Sequence, residues 1–337
     1  MSLSPTPAGR PSGPSDPAGK PALDWRVAAA VSGTVAAVLG AAPLTGIPLA
    51  AALSVFSAVP IFHVGFSRGP AAAAVAAAVA VIATAAVGGP VAGLLLGATT
   101  VVPAAYAAYL VNLARPADEL GGPGGQLAWF PLADVLLRLC LTVAAGSVVA
   151  GIAIGYDGEA LRVAFAEMLR QAVDTPGALP GGVPPGFDPD LIAARVANLL
   201  PAAQAFGSVL VLMGCMHIAM RAARARGALR RPADDMALAL RMPALGLAAF
   251  ALALILSVSG DGAAPAARAF AGALGAGYVI AGFALVHSKL RGNAAGPPLL
   301  IALYLLTLLT AGATLPVMVG VGLFSTVRAV PISKPND

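Results

Sequence analysis

The chain of 337 residues is 58% hydrophobic and only 10% charged, against about 25% charged for an ordinary soluble domain. So few charges cannot clothe a soluble surface of this size, and most apolar side chains must face lipid or other membrane helices. The net charge of +5 falls in short clusters between apolar runs, a pattern of membrane topology that argues against a nucleic-acid partner.

Residues 1–24 carry six prolines among Ser, Gly and Ala. They read as a disordered cytoplasmic tail that buries no core. The apolar run after Trp25-Arg26 is read as a retained span rather than a cleaved signal, because the membrane pattern continues without interruption. Residues 25–330 then form a single all-α transmembrane domain, and residues 331–337 a second cytoplasmic tail. Ten spans are expected, within a range of eight to ten: 27–44, 47–66, 70–88, 91–113, 132–155, 199–220, 242–259, 266–288, 297–311 and 314–327. Gly88, Gly89 and Pro90 break the second hairpin, since proline opens one helix and ends another. Gly312 and Pro316 suggest a hairpin in 297–327; a single kinked helix there leaves the C-terminus outside. The run from Gly121 to Gly125 follows no predicted strand and reads as a linker.

With both termini cytoplasmic, fifteen Lys and Arg residues lie inside and four outside (Arg162, Arg170, Arg195 and Arg268), a strong positive-inside bias. The remaining arginine, Arg138, lies within a span. The expected location is a bacterial inner membrane. The long outer segment 156–198 holds two amphipathic stretches. Leu161, Phe165, Met168 and Leu169 recur at helical spacing in the first. Asp188-Pro189 supplies an N-cap and a first-turn proline for the second. Gly177–Gly186 reads as a hinge between them. The pair either lies on the membrane surface or forms a lid over a pocket whose floor includes Gln204.

Enzyme signatures are lacking: there is no phosphate-binding loop, no HExxH and no Cys/His spacing for zinc. The expectation is no catalytic residue, no metal and no cofactor. His63, His217 and His287 read as interfacial. Asp134 and Arg138, one turn apart, read as a structural ion pair at the start of the fifth span. Neutral polar groups placed in the outer and middle membrane are candidate ligand contacts: Thr99, Thr100, Gln204, Ser208, Tyr278 and Tyr304. Ala29, Gly33, Ala37 and Ala41 repeat every four residues and mark a helix-docking face.

Several segments resemble a known family. Val59–Gly69, Val102–Arg115, Trp129–Leu132, Leu240–Pro243, Leu300–Leu309 and Gly320–Arg328 occur in the order of short motifs in YybS-like predicted membrane proteins of bacteria. Ser325 stands where that family usually has an acid. The family is grouped with the substrate-binding components of energy-coupling-factor vitamin transporters. The resemblance implies a helical bundle with an outward-opening pocket, and small-residue faces that meet a membrane coupling subunit and a separate ATPase. It supplies no ligand residues, and six spans are typical of those components. Beside the lipid bilayer itself, these are the expected partners. The leading expectation is a non-enzymatic protein that binds a small molecule and helps transport it. A membrane scaffold or assembly factor is the alternative, and a secondary exporter the third.

Overall fold

The computed structural model describes residues 24–175, 186–259 and 262–327. The proposed tails and most of the Gly/Pro-rich hinge lie outside the described residues. Helix α1 (Trp25–Ala41) starts at Asp24, whose carboxylate accepts from the Arg26 amide. The next pass is broken in its middle: α2 (Pro48–Leu53), a 3-10 turn at Ser54–Phe56, then α3 (Val59–Arg68). Helix α4 (Pro70–Leu96) doubles back at Gly89, whose φ of 85° and ψ of 166° suit only glycine. Its arms run antiparallel, because Gly93 lies beside Ala85 and Gly97 beside Val81. The break read from Gly88-Gly89-Pro90 is therefore where the chain turns. A π-helical turn at Gly97–Val101 leads into α5 (Val102–Val111).

A short antiparallel ribbon follows, β1 (Ala114–Pro116) with β2 (Leu127–Trp129), Ala114 facing Trp129. The Gly121–Gly125 run is thus the tip of a two-stranded ribbon, with Gly121 and Gly125 at positive φ. Strands of three residues are too short to show a period in the sequence. The chain continues through α6 (Leu132–Ala153), α7 (Gly158–Asp174) and α8 (Pro189–Ala225). It ends with α9 (Met236–Ala239), α10 (Ala244–Ser257), α11 (Ala264–Leu290), α12 (Gly296–Leu309) and α13 (Ala311–Val327).

Small residues bring the helices together. Ala29, Gly33 and Ala37 are all buried, and the face they form is used inside the chain, on α4. A methyl group on Gly33 would strike the Ala76 carbonyl and Val79. The same close approach recurs where Gly146 of α6 meets Ala98 and where Gly272 of α11 meets Ala202 of α8. Without a hydrophobic drive between helices in lipid, such backbone contacts carry the packing. Helix α11 is central, packed by α6, α8, α10 and α13.

Helices α12 and α13 do not form the expected hairpin. Gly282 lies against Met318, and Gly322 against the Tyr278 carbonyl, so α13 runs antiparallel to α11. Its start is therefore near the C-terminal end of α11, where α12 also begins, with Gly296 against Leu290. The junction is a bend at Thr310 (φ −132°, ψ 45°) across which i to i−4 bonds persist on both sides. Neither Gly312 nor Pro316 makes the break: Pro316 sits within α13.

The spacing of Ile192, Val196 and Leu199 carries the long segment between α6 and α8 on towards the sixth span. Its second amphipathic stretch is continuous with the sixth span in one helix of 37 residues, begun by the predicted Asp188 cap. Helix α7 packs along the start of that helix. Arg162 and Arg170 both reach Asp190, at 3.4 and 2.6 Å, and Tyr156 donates to the Ala197 carbonyl at 2.9 Å.

Candidate functional site

Two irregular turns meet near the end of the bundle that carries the Gly89 turn. The 3-10 turn at Ser54–Phe56 and the π-turn at Gly97–Val101 each disturb the regular i to i−4 ladder. The 3-10 turn leaves a carbonyl free, and the Cys215 thiol donates to that oxygen of Val55 at 3.2 Å. Irregular backbone within an apolar bundle persists where it is buried in protein or lines a cavity.

A cavity of about 250 Å³ lies between these turns. Five hydroxyls contribute to its wall: Ser54, Ser57, Thr84, Thr99 and Thr100. Thr99 donates to the Leu95 carbonyl at 2.8 Å and lies 3.3 Å from the Thr100 hydroxyl. Ser54 donates to the Ala51 carbonyl at 2.7 Å. Thr84 is 2% exposed and its hydroxyl has no protein partner, an arrangement that costs free energy unless something in the cavity satisfies it.

A second cavity, of about 460 Å³, adjoins the first, and Leu95 lines both. Its polar groups are Ser147, Tyr156 and Gln204. The buried Ser147 hydroxyl is again unpartnered. Gly155, Tyr156, Leu200 and Pro265 also line this cavity, and no residue of α7 does. Phe165 and Leu169 are half-buried on α7, which packs along α8.

Thr99, Thr100 and Gln204 are thus brought to one region. Ser208 lines neither cavity. Tyr278 is wholly buried against Phe250, ring centroids 5.2 Å apart, and belongs to the packing core. Tyr304 lies at the opposite end, 3.3 Å from His287 and stacked on Phe283. It borders a separate groove of about 1070 Å³ between α11 and α12. Sequence reasoning missed Ser54, Ser57, Thr84 and Ser147, because isolated hydroxyls on apolar helices give no periodic signal.

The opposite end is fastened by charges. Arg231, with a side chain only 3% exposed, pairs with Asp234 at 2.6 Å and donates to the carbonyls of Val111 and Phe130. Arg291 pairs with Asp235, which lowers the Asp235 carboxyl below its ordinary range. The expected Asp134–Arg138 pair does not form. The Arg138 guanidinium instead lies 4.8 Å from the centre of the Phe130 ring, a cation–π contact at the edge of the span. Among the described residues no three His, Cys, Asp or Glu side chains gather as a metal site needs.

Among the described residues six helices are long and apolar enough to cross a membrane, and one of these is the doubled-back Pro70–Val111. The molecule is a predominantly helical membrane protein. No family model, curated protein or solved structure matches the chain.

Proposed function

We propose that this is a multi-pass protein of a bacterial inner membrane that binds a small molecule from the outer face and helps move it inward. The observation that carries the reading is the pair of adjoining cavities around the π-turn, with unpartnered Thr84 and Ser147 in their walls. Cavities with a few convergent polar groups are the usual form of ligand sites. The motif resemblance to YybS-like membrane proteins, a family grouped with the substrate-binding components of energy-coupling-factor transporters, points to the same reading. In that case a separate coupling subunit and ATPase supply the energy, and the subunit docks elsewhere than on Ala29, Gly33 and Ala37. Native mass spectrometry of the purified protein should show a co-purified mass below about one kilodalton that dissociates on activation. A bare protein mass together with no ligand-induced stabilisation would favour the scaffold reading.

The topology that goes with this function has nine passes: α1, α2–α3, the two arms of α4 (the second continued by α5), α6, α8, α10, α11 and α13. Helix α12 starts and ends near the same end of α11 and adds no pass. The basic Arg231 end faces the cytoplasm, as does the N-terminus, and the cavities open outward. The C-terminus leaves on the outer side.

A further inference from the structure

Among the described residues, none that lines either cavity is charged. A buried ion without a counter-charge or a full coordination shell costs many kcal/mol, whereas a buried hydroxyl needs only one hydrogen-bond partner. Serine and threonine hydroxyls both donate and accept. A wall of five of them therefore matches a guest that also does both. The smaller cavity holds the volume of about eight liquid waters at ~30 Å³ each, so the guest has only a few heavy atoms. Among the described residues its walls hold no aromatic ring to stack on a planar base or a ring system.

We infer that the chamber bounded by Ser54, Thr84 and Thr100 takes a small uncharged molecule dense in hydroxyl or amide groups, and that the Thr84 hydroxyl is one of its contacts. This rests on the proposed outward-facing site and adds the class of ligand. Thr84 is the decisive residue, because its hydroxyl is almost fully buried, lines the chamber and has no bond within the protein. Removing it takes no internal hydrogen bond away. Ser54 and Thr99, by contrast, already spend their protons on backbone carbonyls and offer only lone pairs. With the Thr99 proton on Leu95, Thr100 fills the 3.3 Å contact by donating to Thr99, so Thr84 is left to donate, and the guest must present an acceptor to it and donors to the lone pairs of Ser54 and Thr100. A polyol or a urea-like amide does this; a metal cation gives the Thr84 proton no acceptor, and an anion gives the lone pairs no donor.

The test uses the full-length protein in proteoliposomes with Thr100→Cys as the reporter. Cys140 and Cys215 are buried, so the unsubstituted chain serves as the background. Outside addition of iodoacetamide and of iodoacetate compares two reagents of one shape and different charge, each normalised to free cysteine. The expected result is labelling by iodoacetamide and at least tenfold slower labelling by iodoacetate. Erythritol or urea should protect the thiol saturably, while sodium chloride, potassium chloride and sodium succinate should not. Adding Thr84→Val should abolish that protection and leave the thermal stability of the empty protein unchanged or higher. No labelling by either reagent overturns the outward-opening site itself. Labelling that neither erythritol nor urea blocks leaves the opening intact and overturns the ligand class. Protection by sodium or potassium ions, or protection that survives Thr84→Val, also overturns it.

Discussion

Gly146 sits where α6 crosses the π-turn, and any side chain there runs into the Ala98 carbonyl. Backbone on both sides leaves nothing soft to move, so Gly146→Ala should cost about 1–3 kcal/mol by overpacking. Gly207, with open space around its Cα, is the control: Gly207→Ala should be neutral or mildly stabilising in a helix. Thermal unfolding in detergent separates the two. Arg231 presents the opposite case, a charge that holds neighbours in place. Arg231→Leu strands the buried carbonyls of Val111 and Phe130 and leaves Asp234 unpaired, at a cost of about 3–5 kcal/mol. Lysine offers one ammonium where Arg231 uses a fork to reach three groups, so Arg231→Lys should recover little. Asp134→Ala should change stability by less than about 1 kcal/mol, since Arg138 rests on Phe130 rather than on that carboxylate. A loss as large as that of Arg231→Leu would mean that the two residues pair after all.

At the level of elements, the short α9 is strapped to the end of α11 by Asp235 and Arg291. The folded Asp235 pKa lies below its unfolded value because Arg291 donates to the carboxylate. The strap's contribution is therefore present above the ordinary carboxylate pKa of about 3.9, and is lost as pH falls through the lowered folded value. Both groups are exposed, so screening keeps the effect small. Hydrogen exchange of the Met236–Ala239 amides should rise on acidification below about pH 4, after correction for the intrinsic rate, and Asp235→Asn should show that raised exchange at neutral pH. Elements also mark how far the sequence could be read. Gly89 and Pro90 announce their turn because only glycine takes that φ and proline cannot continue the first arm. Asp188-Pro189 announces its cap for similar reasons. The Thr310 bend announces nothing, since threonine is tolerated in helices and the break depends on how α13 packs on α11. The hydroxyl chamber was half legible. Thr99 and Thr100 are conspicuous as a pair, but Thr84 and Ser54 join them only through the doubling back of α4 and the broken second pass.

For the whole molecule, the nine-pass reading makes a sharp prediction about the two ends. Cytoplasmic reporters fused at residues 10 and 225 should be active, and reporters at residue 182 and after residue 337 should register the outer side. Activity of the last one in the cytoplasm would restore a hairpin at 297–327 and refute the bend. The composition that places the chain in a membrane was legible at once, because 10% charge admits no other home for 58% hydrophobic residues. Which helix packs on which was not, since most contacts rest on alanine and glycine, and these occur on every face. That no described residue lining the two cavities is charged carries one more consequence. A membrane potential does work of about 2.3 kcal/mol per elementary charge for each 100 mV crossed. Walls without charge, closing around a neutral guest, move no charge through that field. Loading and release should then be electrically silent, with no current on ligand addition to a proteoliposome-coated sensor, and voltage can neither pull the guest inward nor hold it out.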